Sequence, residues 1–208
     1  MNDVILAALS VTACVYGTSA ATKLARRTAT RSFRTGLRAT RLLPERAVRP
    51  VATLLITAEA LVSVGAIAAI TGRAVAVPQA AVLAVAVLAC GSVLTGVLLG
   101  GVIVVVRRGT RAPCRCFGAA TDTPLGVVHI ARNAALAAAL TAGFAGGVLS
   151  GPGPAPGIAD GSVAAITGLL VGIAFVRWDD LASVVRPVRP ARPPARATGP
   201  DRRVPGAS

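Results

Sequence analysis

The chain has 208 residues, is 54% hydrophobic, and carries 22 Lys and Arg against 8 Asp and Glu, a formal net charge of +14. Aromatic residues make up 3% of it, and the charges flank long apolar stretches instead of interleaving with them. That segregation excludes a soluble enzyme, a disordered chain and an ordinary nucleic-acid-binding domain, and it points to a small, all-α, polytopic membrane protein in contact with lipid.

The first apolar span covers residues 3–22. It opens on Asp3 with no Lys or Arg before it, whereas a secretory signal needs a basic start, so it reads as a retained span. Cys14 lies eight residues from its end, roughly 12 Å below the boundary at about 1.5 Å per residue. Residues 23–49 follow, with Lys23 and eight arginines against Glu45 alone. The positive-inside rule puts this segment in the cytoplasm, with the N-terminus outside and the C-terminus inside the cell membrane. Arg27, Arg31, Arg34, Arg38 and Arg41 recur at helical spacing and leave Phe33, Leu37 and Leu42 for an apolar face. An amphipathic helix on the anionic leaflet and a solvated basic loop both fit that pattern.

The second span, 51–72, contains one charge, Glu59, roughly 12 Å below the basic face. The third, 79–106, holds Cys90, too deep to reach that face. After it comes a basic connection with Arg107, Arg108 and Arg111 ahead of Pro113-Cys114-Arg115-Cys116-Phe117-Gly118. In the fourth span, 125–149, His129, Arg132 and Asn133 stand at i, i+3 and i+4 and share a face expected to point into the bundle. An unpaired charge at that depth is expensive, so an ion pair between Glu59 and Arg132 is predicted. A structural polar clamp and a role in proton transfer or quinone contact both fit such a pair.

A Gly/Pro-rich linker at 150–157 leads to a fifth span, 158–177, with Trp178 beside Asp179 and Asp180 as an interfacial anchor. The domain reading is therefore a four-helix membrane unit over 1–149, a linker with a fifth transmembrane helix over 150–180, and a disordered Arg/Pro-rich tail over 181–208. Gly100-Gly101 and Gly146-Gly147 permit close helix contacts.

Cys114 and Cys116 carry the clearest chemistry. Thiolate is the reactive form of cysteine, and the neighbouring Arg111 and Arg115 favour it. A bridge between cysteines one residue apart closes a small strained ring, and strained bridges are labile, which favours a redox or thiol-exchange site. Two alternatives stay open: ordinary loop thiols, and a metal site formed with His129, for which only three donors are visible without Cys14.

Cys114-Arg115-Cys116-Phe117-Gly118 after an apolar span and basic turn, then Leu125-Gly126 and Arg132-Asn133, resembles the methylamine utilisation protein MauE family. Lys23-Leu24 closing the first span and Leu43-Pro44 ahead of the Glu59 span agree with it, over roughly residues 1–149. The resemblance implies a four-helix architecture similar to the DoxX group. It also implies a role in maturation or disulfide formation of an exported client, in that family the methylamine dehydrogenase small subunit, alongside a thioredoxin-like partner. On this resemblance Cys114 and Cys116 are the redox pair, Phe117 and Gly118 shape its turn, and Glu59, Arg132 and Asn133 are supporting intramembrane positions. An exported client wants the pair outside, whereas the charge pattern places it inside. A quinone could take part, although no quinone motif is visible. The competing reading is a non-catalytic scaffold or chaperone for a redox partner, its cysteine pair structural or metal-binding. A small-solute transporter fits poorly, because the intramembrane polar residues cluster in one half of the membrane.

Overall fold

A computed structural model describes residues 2–110, 125–150, 157–178 and 180–181. These form six helices and, among the described residues, no strand: α1 (Asn2–Leu24), α2 (Arg27–Ala39), α3 (Glu45–Ala74), α4 (Ala80–Arg107), α5 (Val127–Ser150) and α6 (Ile158–Val176). All but α2 are long and apolar enough to cross a membrane, and they match the five expected spans. Lipid offers no partners for backbone groups, so runs of this length satisfy their own hydrogen bonds as helices. The segment holding Cys114, Arg115, Cys116, Phe117 and Gly118, the linker at 151–156 and the tail beyond 181 lie outside the described residues.

Small residues set the packing. Helices α1, α3, α4 and α5 form an up-and-down ring in which each packs on the next and α5 closes back on α1. Residue pairings give the directions. Gly17 of α1 meets Ser63 of α3, Gly65 of α3 meets Val87 of α4, and Gly143 of α5 meets Leu88 of α4 and Ala8 of α1. A methyl group at Gly143 would lie 2.4 Å from the Ala8 Cβ, so this approach requires glycine. Leu9, Leu88, Leu140, Ala66 and Ala69 are fully buried in the core between the four helices. Outward faces remain apolar, with Leu54, Leu61, Val82 and Val93 exposed where hydrocarbon would meet them.

Helix α6 packs on the outer side of α1, and the two run parallel. The contact is made by Gly168 and Gly172, four residues apart: a Cβ at Gly168 would lie 2.3 Å from the Ala7 carbonyl oxygen, and one at Gly172 2.7 Å from the Cys14 Cβ. Helix α1 is therefore the central element, 61% of its apolar window being buried, against 33% or less for the other spans. The glycine pairs expected at close contacts contribute less: Gly100 has open space around it, and only Gly147 of the four makes a tight approach, to Val85. Trp178, expected at the interface, is half-buried, and its ring stacks on Phe175 at 5.8 Å, against the main core.

Helix α2 resolves the two readings of the basic segment in favour of a helix. Phe33 and Gly36 are buried beneath it while most of its arginines stay on the outside. The Thr30 hydroxyl donates to the Lys23 carbonyl at 2.7 Å, and Arg38 forms an exposed ion pair with Glu45, so α2 is tied to both α1 and α3. Helix α2 thus folds across the end of the bundle where α1 and α4 finish and where α3 and α5 begin. This is the basic end.

Candidate functional site: a buried charge cluster at the basic end

Lys23 closes α1, but its side chain turns inward and is 1% exposed. Its Nζ donates to both Glu59 carboxylate oxygens at 2.6 Å and to Ser19 Oγ at 2.9 Å. The Ser19 hydroxyl in turn donates to Glu59 Oε2 at 3.1 Å. Ser19 and Lys23 are four residues apart on one face of α1, so a single helix presents both to the acid on α3. The Phe33 ring of α2 covers the ammonium, 4.5 Å from ring centroid to nitrogen. The three ammonium donors and the serine hydroxyl are thereby matched to three acceptor oxygens in a medium where an unpaired charge would be costly.

The predicted ion pair between Glu59 and Arg132 is therefore corrected: the acid pairs with Lys23. The reason is topological. Helices α3 and α5 stand diagonally in the ring, whereas α1 packs directly on α3. Sequence reasoning counted Lys23 with the solvated basic segment. The available signal was its position four residues after Ser19 on an apolar helix, opposite a span with a single acid.

The inward face of α5 is as expected: His129, Arg132 and Asn133 are 3%, 4% and 9% exposed. His129 Nδ1 accepts a hydrogen bond from the Gly126 amide at 3.3 Å, which caps the opening turn of its own helix. Arg132 and Asn133 line a cavity of about 60 Å³ together with Tyr16, Ser19, Lys23, Glu59 and Thr95. Tyr16 crosses the centre of the ring, its hydroxyl donating to the Gly91 carbonyl at 2.9 Å beside the Thr95 hydroxyl. Tyr16, Ser19 and Thr95 were not singled out from sequence, because isolated hydroxyls in apolar spans are usually satisfied within their own helix.

Cys14 is half-buried at the α1–α6 contact, with Sγ beside Gly172, and Cys90 is exposed on the outer surface of α4. Among the described residues no three His, Cys, Asp or Glu side chains gather as metal ligands.

The family model described as methylamine utilisation protein MauE matches residues 1–146. The chain belongs to the MauE family. No curated protein and no solved structure matches it. The matched region runs from the start of α1 to the last turns of α5, so the four-helix ring and its charge cluster are the MauE unit, and α6 lies beyond it. MauE membership together with five apolar spans supports a multi-pass membrane protein associated with methylamine utilisation.

Proposed function

We propose that this MauE protein is a thiol-disulfide redox protein of the cell membrane that assists maturation of a disulfide-containing client, together with a thioredoxin-like partner. The observation that carries the reading is Cys114-Arg115-Cys116-Phe117-Gly118 in the α4–α5 connection of a MauE chain. The position of that connection supports it: α4 ends at Arg107 and α5 begins at Val127, both at the end of the ring that holds Lys23, Glu59 and Asn133.

In the oxidising direction the pair begins as a disulfide. A partner thiolate attacks one sulfur, the Cys114–Cys116 bond breaks and a mixed disulfide forms. The partner's second thiolate then releases it. Two electrons and two protons have moved from the partner to the pair, and the partner's new disulfide can oxidise the client. Replacing Cys114 and Cys116 together by Ser should abolish client disulfide formation, read by thiol trapping of the client in cells. Retained maturation would sink the redox reading and leave the scaffold.

A further inference from the structure

A second cavity, of about 210 Å³, lies between α2, α3 and α4 at the basic end. Its walls include Leu37, Thr40, Val51, Leu55 and Gly101, and among the described residues no charged side chain lines it. The one polar side chain there, Thr40, already donates its hydroxyl to the Leu37 carbonyl at 2.6 Å and accepts from the Leu42 amide at 3.3 Å. A buried water needs roughly two to four polar partners, and these walls offer it no free side chain, so the cavity suits an apolar occupant. At about 30 Å³ for a water-sized group, the volume takes on the order of seven methylenes, one stretch of an acyl chain.

The mouth of this cavity faces hydrocarbon. Val97, in its lining, is 64% exposed on α4, and Leu54, next to the lining Leu55, is 66% exposed on α3. An occupant therefore enters from the bilayer and not from water. The rim beside α2 is cationic. Arg34 stands three residues before Leu37 on α2, and Arg41 directly follows Thr40. The one acid of this segment, Glu45, is engaged by Arg38, and neither Arg34 nor Arg41 has an acid partner among the described residues. Arg34 Nε is buried and makes no hydrogen bond among them. Guanidinium groups with open donors call for an anion, and phosphate matches their planar fork. A phosphate joined to an apolar chain is a phospholipid.

We propose that α2 and this cavity form a site for one anionic phospholipid of the leaflet at the basic end. One acyl chain enters between α3 and α4 and lies beneath α2, and the phosphate meets Arg34 and Arg41. A zwitterionic lipid would bring a cation to a rim that is already cationic, so net negative charge decides the choice. The site is independent of the cysteine chemistry. Its effect reaches the charge cluster through Phe33, which walls the cavity and covers the Lys23 ammonium, so a chain packed beneath α2 holds that cover in place.

The test is a thermal melt of the delipidated full chain in a neutral detergent, with phosphatidylglycerol, phosphatidylcholine or glycerol 3-phosphate added. Phosphatidylglycerol at about 100 times its half-saturating concentration should raise the melting temperature by roughly 5–10 °C, and the other two should not. Variants report separately on chain and phosphate. A Cβ at Gly101 meets nothing closer than Leu42 at 3.8 Å, and both residues line the cavity, so Gly101→Trp fills it while Gly101→Ala leaves it open. Arg34→Gln with Arg41→Gln removes the phosphate partners. Gly101→Trp and the double arginine variant should each lose the shift yet melt like the wild type without lipid, and Gly101→Ala should keep it. A phosphatidylglycerol carrying a photoreactive acyl chain should crosslink to α2 and α4 in the wild type and not in Gly101→Trp. Should Gly101→Trp melt lower by itself, the arginine variant and the crosslinks decide. An undiminished shift in a folded Gly101→Trp would mean that the lipid only coats the basic surface, and would overturn the site. So would an equal shift from phosphatidylcholine, a shift from glycerol 3-phosphate alone, or crosslinks absent from α2.

Discussion

Lys23 and Glu59 show how a charge becomes tolerable below a membrane surface. Each carboxylate oxygen faces the same ammonium at 2.6 Å, a serine hydroxyl bridges the pair, and an aromatic ring closes over it. Removing one partner strands the other, so Lys23→Met or Glu59→Gln alone should destabilise the protein by about 3–5 kcal/mol. The double variant Lys23→Met with Glu59→Gln should recover most of that loss, as read by equilibrium unfolding in detergent. Equal losses in the single and double variants would mean that the pair is not coupled. Tyr16→Phe is a milder probe. It deletes the two interhelical contacts of the Tyr16 hydroxyl, to Gly91 and Thr95, each worth about 0.6 kcal/mol on average inside a membrane, and the shift should be correspondingly small.

At the scale of the element, α6 depends on two glycines. Gly168→Leu would drive a side chain into the Ala7 carbonyl, so α6 should leave α1 at a cost of about 1–3 kcal/mol or more. The ring of α1, α3, α4 and α5 should survive, because its contacts are separate. The readout is Cys14, now sheltered by Gly172: maleimide labelling should rise in the variant while circular dichroism stays helical. Unchanged labelling would show that α6 tolerates the substitution. The existence of α6 was legible from its charge-free apolar run. Its seat was not, because Gly168-Leu169-Leu170-Val171-Gly172 permits close packing on any small-residue face. Helix α2 shows the same division: its arginine spacing fitted both a helix and a solvated loop, and the burial of Phe33 and Gly36 settled that it is a helix docked on the bundle.

For the whole molecule, orientation follows from arginine placement. Lys23, α2 and the Arg107 and Arg108 pair closing α4 share one end, and on the positive-inside rule we propose that this end faces the cytoplasm. With Cys14 and Cys90 replaced by Ala, a membrane-impermeant thiol reagent should therefore miss Cys114 and Cys116 in intact cells and reach them only after permeabilisation. Labelling of intact cells after reduction would reverse the orientation and favour direct oxidation of exported clients. The sequence by itself determined the five spans, the inward face of α5 and the family, because apolar length, helical spacing and a short motif are local properties. Only the tertiary structure decided the partner of Glu59, the inward turn of Lys23, the seat of α6 and the polar cavity at the basic end. Those depend on which helices are neighbours in the ring and which stand across it, and that is set by small residues whose partners lie tens of residues away.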